Sequence, residues 1–118
     1  MNKIEFLELL LSLYIDHNQV IEAEENGDSN YILVDIRNAP KHVKKDKIKG
    51  SIEIPVKDMA NQLASLDKTK TYVVYDWTAG TTLGKQATLL LLKNGFEAYE
   101  LSCAIEGWKG MNLPIETL

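Results

Sequence analysis

The residues best suited to chemistry lie in a short loop between an apolar strand and an apolar helix. The strand ends in Val74-Tyr75-Asp76, and Ala87 to Leu92 is the strongly apolar part of the helix. Backbone N–H groups of such a loop, together with the positive end of the helix, bind anions. The sequence therefore predicts an anion-binding loop, which consists of Asp76, Trp77, Thr78, Ala79, Gly80, Thr81 and Thr82.

The elements that must position this loop alternate between strands and helices. Apolar and β-branched runs predict strands at residues 31–36, 51–54, 71–75 and 98–101. Helical spacing predicts helices at residues 59–66, 82–94 and 106–111. This order predicts a three-layer α/β fold with a central, mainly parallel sheet and helices on both faces. The expected core contains Leu33, Val73, Val74 and Leu89 to Leu92.

The strand ends of such a sheet bring separate segments together, because ligands bind beyond the carboxyl ends of parallel strands. We expect Asp35 and Arg37, the loop from Asp76 to Thr82, and Cys103 at one edge. In this loop the hydroxyls of Thr78, Thr81 and Thr82 are expected to cap the helix.

The leucine-rich N-terminus is predicted to be an amphipathic packing helix. Its apolar stripe recurs at helical spacing and consists of Ile4, Leu7, Leu11 and Tyr14. Acidic residues interrupt the run and no cleavage site follows, which argues against a signal peptide. No stretch approaches the roughly 18 apolar residues of a membrane span. We assign residues 1–118 to one domain, with the helix in residues 1–19 and the core region in residues 20–116.

Charge and cysteine content limit the possible partners. The net charge of −4 and the pI near 5.1 argue against nucleic acid, since phosphate binding needs clustered Lys and Arg. The basic residues 41–49 are expected to form a solvated loop, with docking to an acidic partner as the alternative. The single Cys103 cannot form an internal disulfide, so we expect a reducing, cytoplasmic setting, without metal or cofactor.

Four segments resemble the rhodanese homology domain in the same order, over residues 20–116. Leu33 to Arg37 resembles the family's Asp-x-Arg strand end, and Ile48 to Pro55 is similar to its Ile-x-Gly-Ala-x-x-Ile-Pro segment. Val73 to Tyr75 leads into the active-site loop as in the family. Leu101 to Pro114 resembles the closing Leu-x-Gly-Gly, Trp and Leu-Pro pattern. The order and spacing of the four segments make the resemblance specific.

The resemblance implies a sulfurtransferase scaffold that lacks the reactive groups. The family's nucleophilic cysteine corresponds to Asp76, and residues 77–84 lack the arginine that active members often carry. Lys47 stands where a histidine is common, and Cys103-Ala104 replace the usual glycine pair. We expect a non-catalytic pseudoenzyme that recognises an unknown small anion or a protein partner, or that acts in regulation. Nucleic acid and membranes are not expected partners.

Three interpretations of Asp76 stay open. It caps the strand end and the loop, it takes part in the recognition of a ligand or partner, or it serves an anion or phosphate-ester hydrolase as general base or nucleophile. The positive helix end would favour its charge by about 0.3–1 kcal/mol.

Two further candidates lie near the same edge. Cys103 is the only thiol, and would make the protein a weak sulfurtransferase of the thiosulfate type, although a lone cysteine after an apolar strand is usually a buried filler. Asp35 and Arg37 resemble a catalytic pair. We expect a structural role for both, with Arg37 anchoring loops and Asp35 capping the turn.

Overall fold

The computed structural model describes residues 1–118 as an alternation of strands and helices. Helices α1 to α6 comprise Lys3–Ser12, His17–Glu25, Lys41–Lys44, Val56–Met59, Leu83–Lys93 and Ala104–Gly110, and a 3-10 turn covers Leu63–Ser65. Strands β1 to β7 comprise Tyr14–Ile15, Tyr31–Asp35, Asp46–Ile48, Ile52–Glu53, Thr71–Tyr75, Glu97–Leu101 and Ile115–Thr117.

Five strands form a central sheet in the order β1-β6-β5-β2-β4, and all four pairings are parallel. Strand β5 is the central one, and its Val73 pairs with Leu33 on one side and Tyr99 on the other. The predicted α/β fold is confirmed. A separate antiparallel pair joins β3 to β7 and was not predicted.

Alternate residues of β5 face two apolar layers. Tyr72 and Val74 pack with Ala87 and Leu91 of α5, whereas Val73 and Tyr75 belong to the layer that contains Val20, Ile105 and Trp108 of α2 and α6. The predicted core is correct for Val73, Val74 and Leu91. It is wrong for Leu89 and Leu92, which lie on the exposed side of α5.

The N-terminal segment differs from the prediction in length and in packing. Helix α1 ends at Ser12, and Tyr14–Ile15 pairs with β6 at the edge of the sheet. A second helix, α2, then begins after Asp16, whose carboxylate accepts the Gln19 N–H while the Gln19 side chain accepts the Asp16 N–H. No side chain of α1 is buried, so the predicted packing stripe is not covered within the chain. None of the helices combines the length and apolar character needed to cross a bilayer.

The basic residues 41–49 are not a solvated loop, which corrects the prediction. They form α3 and β3, and Lys44 is buried, with its ammonium group paired to Glu53 and 3.7 Å from Asp35. Lys47 donates to the Ser51 carbonyl at 2.6 Å. Two of these lysines therefore hold the strand ends together.

Candidate functional site

Asp76 follows the central strand and is completely buried. Its Oδ1 atom accepts the Trp77 N–H at 2.7 Å, and its Oδ2 atom accepts the Gly84 N–H at 2.8 Å. Gly84 lies in the first turn of α5, so the carboxylate is placed at the positive end of that helix. Both oxygens are therefore bound by backbone donors.

The rest of the loop closes into a turn. The Thr81 hydroxyl donates to the Thr78 carbonyl at 2.9 Å, and the Lys85 ammonium group lies 3.5 Å from the carbonyls of Ala79 and Thr81. Thr82 occupies the N-cap position of α5, but its own side chain makes no capping hydrogen bond. The threonine caps predicted from the sequence are not formed, because the Asp76 carboxylate already binds the first turn.

Glu100 is a second buried carboxylate, and sequence reasoning did not single it out. It lies on β6 beside Val74, and its side chain packs so closely on α5 that a methyl group on Gly84 would clash with it. Burial raises the pKa of Glu100, Lys85 at 3.2 Å opposes that rise, and the charge of Asp76 adds to it. An acidic residue inside an apolar strand was the signal in the sequence that could have identified it.

The raised pKa of Glu100 predicts a pH-dependent loss of stability. The pKa of Glu100 is near 4.5 in the unfolded chain and higher in the folded protein. At pH values between these two pKa values, the native state binds more protons than the unfolded state. The free energy of unfolding therefore falls as pH rises through that interval. Glu100→Gln should remove this contribution, so the stability of wild type relative to the variant should be greatest in acid. Urea denaturation of both proteins at several pH values measures the difference between their free energies of unfolding. If wild type instead becomes more stable relative to the variant as pH rises, the prediction is wrong.

Asp35 and Arg37 form a buried, bidentate ion pair beside the loop. Arg37 donates to the Asp35 carboxylate through Nε at 2.9 Å and through a terminal nitrogen at 2.7 Å. The backbone N–H of Arg37 also donates to Asp35 Oδ1, and its guanidinium group donates to the Asp46 carbonyl at 2.6 Å. The pKa of Arg37 is raised by this pairing against the opposing effect of burial. These contacts tie the end of β2 to β3.

A cavity of about 300 Å³ opens at the same edge. Its walls are Arg37, Lys44, Asp46, Trp77, Thr78, Ile105, Glu106 and Lys109. The Trp77 ring stacks on the Arg37 guanidinium group, with 4.5 Å between the guanidinium carbon and the ring centroid. We call this cavity the mouth of the site. Each of its three cations is paired with a carboxylate, and Lys109 contacts Asp46 at 2.8 Å.

Comparison with known proteins identifies the family. The profile of the rhodanese-like domain matches residues 17–111. The chain belongs to the rhodanese-like domain family. The resemblance inferred from the four sequence segments is thus confirmed.

Solved structures of other proteins share the fold. The full-length protein from Lactobacillus plantarum is 61% identical, with a TM-score of 0.95, over 98% of this chain and 97% of that chain. A rhodanese-like domain from Anabaena sp. is 25% identical, with a TM-score of 0.76, over 90% and 80% of the two chains.

A curated relative, the tRNA sulfurtransferase of Shewanella sediminis, is 38% identical over an alignment of 85 residues that covers 67% of this chain. This rhodanese-like domain spans only 17% of that relative's length.

Cys103 of this rhodanese-like domain lies between β6 and α6 and is half-buried against the layer that contains Trp108. Burial raises the pKa of its thiol, and the nearby charge of Asp16 raises it further. At neutral pH the thiol form is therefore favoured over the thiolate, which is the nucleophilic form. Only two residues further along, the Ile105 N–H donates to the Asp76 carbonyl at 3.0 Å. The strand-end rule thus placed the segment near the loop, and burial disfavours the thiolate form of Cys103.

Proposed function

We propose that this rhodanese-like domain does not transfer sulfur and acts in the cytoplasm in recognition or regulation. The observation that carries the proposal is the state of Asp76, which the sequence resemblance places at the position of the family's nucleophile. Its carboxylate is buried and both of its oxygens accept backbone N–H groups. The loop therefore binds an anion that is part of the chain itself.

The chemistry of the carboxylate supports the absence of sulfur transfer. A transferase holds sulfur in a persulfide, and stabilises the sulfur anion with loop N–H groups and a helix end. An aspartate has no sulfur with which to form an exchangeable S–S bond. Here its oxygens also bind the Trp77 and Gly84 donors that such an anion would use.

The charges of the mouth favour a protein partner over a small anion. Arg37, Lys44 and Lys109 are all paired with carboxylates, so no cation there is left without a counter-charge. A small anion would have to displace those carboxylates. A protein surface can instead contact the exposed part of the mouth by hydrogen bonds and packing, without breaking the ion pairs.

The two enzymatic alternatives have weaker support. A hydrolase would need a free carboxylate oxygen of Asp76 directed at substrate, but both oxygens accept backbone N–H groups. A sulfurtransferase that uses Cys103 would need a thiolate, but burial raises the pKa of that thiol.

A direct assay tests the loss of sulfur transfer. Purified protein incubated with thiosulfate and cyanide should form no more thiocyanate than the Cys103→Ser variant, because neither Asp76 nor the Cys103 thiol carries sulfur through a cycle. Intact mass after incubation with thiosulfate alone should show no added sulfur atom. Thiocyanate formation that is catalytic in wild type and lost in Cys103→Ser would overturn the proposal. Activity that persists in Cys103→Ser and is lost in Asp76→Asn would overturn it as well.

A further inference from the structure

Helix α1 has the composition of a buried helix and the exposure of a surface helix. Six of its ten residues are apolar, and they are distributed around the helix rather than along one face. Helices that are apolar all round are normally buried. Here no residue of α1 is buried, and the helix packs appreciably only on the adjacent strand β1. The chain alone therefore leaves this helix without the apolar environment that its sequence requires.

A second apolar surface lies beside it on α5. Leu89 and Leu92 point away from the core, and with Leu10, Leu13 and Tyr14 they line a groove of about 350 Å³. The exposed surface of the groove is nearly all apolar, although the polar residues Lys85, Thr88 and Glu100 also line it. We use the name α1–α5 face for the exposed apolar residues on all sides of α1, for Leu13, which follows that helix, and for the exposed leucines of α5; its members are Ile4, Phe6, Leu7, Leu9, Leu11, Leu13, Leu89 and Leu92.

We propose that the α1–α5 face is the interface of a symmetric homodimer, in which α1 of each copy packs on the α5 groove of the other. One chain contains both an apolar helix, α1, that is exposed to solvent and an apolar groove on α5 that is also exposed. A two-fold axis joins each helix to the partner's groove, and covers both surfaces in one closed assembly.

The exposed area matches what such a dimer needs. The eight side chains of the α1–α5 face are 37% to 73% exposed. With on the order of 100 Å² of apolar surface per side chain of this size, they leave roughly 400 Å² in contact with water. A standard interface buries about 800 Å² per partner, of which somewhat more than half is apolar. An apolar patch of this size is as large as the largest patches on monomeric proteins, which are often functional.

The charges beside the two surfaces are complementary. Glu5 and Glu8 lie among the apolar residues of α1, and neither is paired within the chain. Lys93 lies in the last turn of α5 and is exposed. Acidic α1 and basic α5 attract each other between copies, which favours α1 on α5 over α1 on α1.

The same charges argue against a lipid surface as the occupant. Helices that lie on membranes carry Lys and Arg on their polar face. Helix α1 has two glutamates and one lysine, and the chain has a net charge of −4. An anionic membrane would repel it.

Sedimentation velocity and light scattering on the full chain test the dimer. Wild type at roughly 50 µM should have twice the monomer mass of 13.3 kDa, since standard interfaces dissociate at micromolar concentrations or below. Leu7→Glu in α1 and Leu89→Glu in α5 should each give a monomer. Val43→Glu is the matched control, because Val43 is about as exposed but lies on α3, and this variant should stay dimeric. Circular dichroism confirms that each variant is folded.

Mixing the two monomeric variants tests which surfaces meet. In a mixed dimer, α1 of the Leu89→Glu chain meets α5 of the Leu7→Glu chain, and neither surface is mutated. One of the two contacts is thus restored, and the mixture should contain dimers that neither variant forms alone. A monomeric wild type would overturn the proposal, as would a dimer that both substitutions leave intact. A mixture that stays fully monomeric would overturn the pairing of α1 with α5.

Discussion

Replacing Asp35 with asparagine is expected to lower the free energy of unfolding by about 3–5 kcal/mol, because it leaves a buried guanidinium group without its counter-charge. Arg37 is 1% exposed, and three of its donors bind the Asp35 carboxylate. The asparagine keeps the shape of the side chain but presents an NH₂ group where the guanidinium needs an acceptor. Urea denaturation, with a check that the m-value is unchanged, measures the loss.

Lys109→Ala provides the matched control for that experiment. It removes an ion pair at the same edge, but the Lys109 side chain is 45% exposed. Exposed pairs contribute about 0–1 kcal/mol, since water screens them and holding the side chains costs entropy. If Asp35→Asn is no more destabilising than Lys109→Ala, the interpretation of the Asp35–Arg37 pair as structural is wrong. That result would make the pair a candidate for function.

The fold was predictable where burial produces a pattern in the sequence. All five residues of β5 are buried, so the strand is a continuous run of β-branched and aromatic residues, as is typical of central strands in parallel sheets. Helix α5 was predicted within one residue at each end, and Gly95, with φ of +82°, follows it as the left-handed stop.

The missed elements leave no such pattern. Strands β1 and β3 have two and three residues, which is too short to show a period of two. Strand β3 pairs with β7, almost 70 residues further along the chain. Helix α1 shows the converse case, because its leucines predict burial although none of its side chains is buried in the chain.

The place of the site was predictable, but the contacts inside it were not. The end of β5 and the start of α5 fix the position of Asp76, because the strand-end rule depends only on the order of elements. The direction of its carboxylate depends on Gly84, and Gly84 is held by the packing of α5 against Glu100. Those contacts join residues 76, 84 and 100 from three elements, and no local pattern relates them.

Asp76→Cys should create a reactive thiol, and is the most informative change in the loop. The new sulfur would replace a carboxylate that lies at the first turn of α5 and accepts the Gly84 N–H. A thiolate there is stabilised by the N–H group and the helix end, so its pKa should fall below the free value of about 8.5. In a Cys103→Ser background this is the only thiol. The pH dependence of its alkylation gives the pKa, and intact mass after thiosulfate should show one added sulfur atom.

The buried Glu100 supplies the control for the same experiment. Its carboxylate packs against Gly84 and interacts with the charge at position 76, so it should oppose a thiolate there. Asp76→Cys combined with Glu100→Gln should therefore have a lower thiol pKa and alkylate faster near neutral pH. Turnover with cyanide is expected to remain low in both, because residues 77–84 contain no arginine to hold the anionic donor. Suppose instead that the thiol at position 76 titrates like free cysteine, with or without Glu100. The backbone donors would then not stabilise an anion at this position, and Asp76 would be an ordinary capping residue rather than the occupant of an anion site.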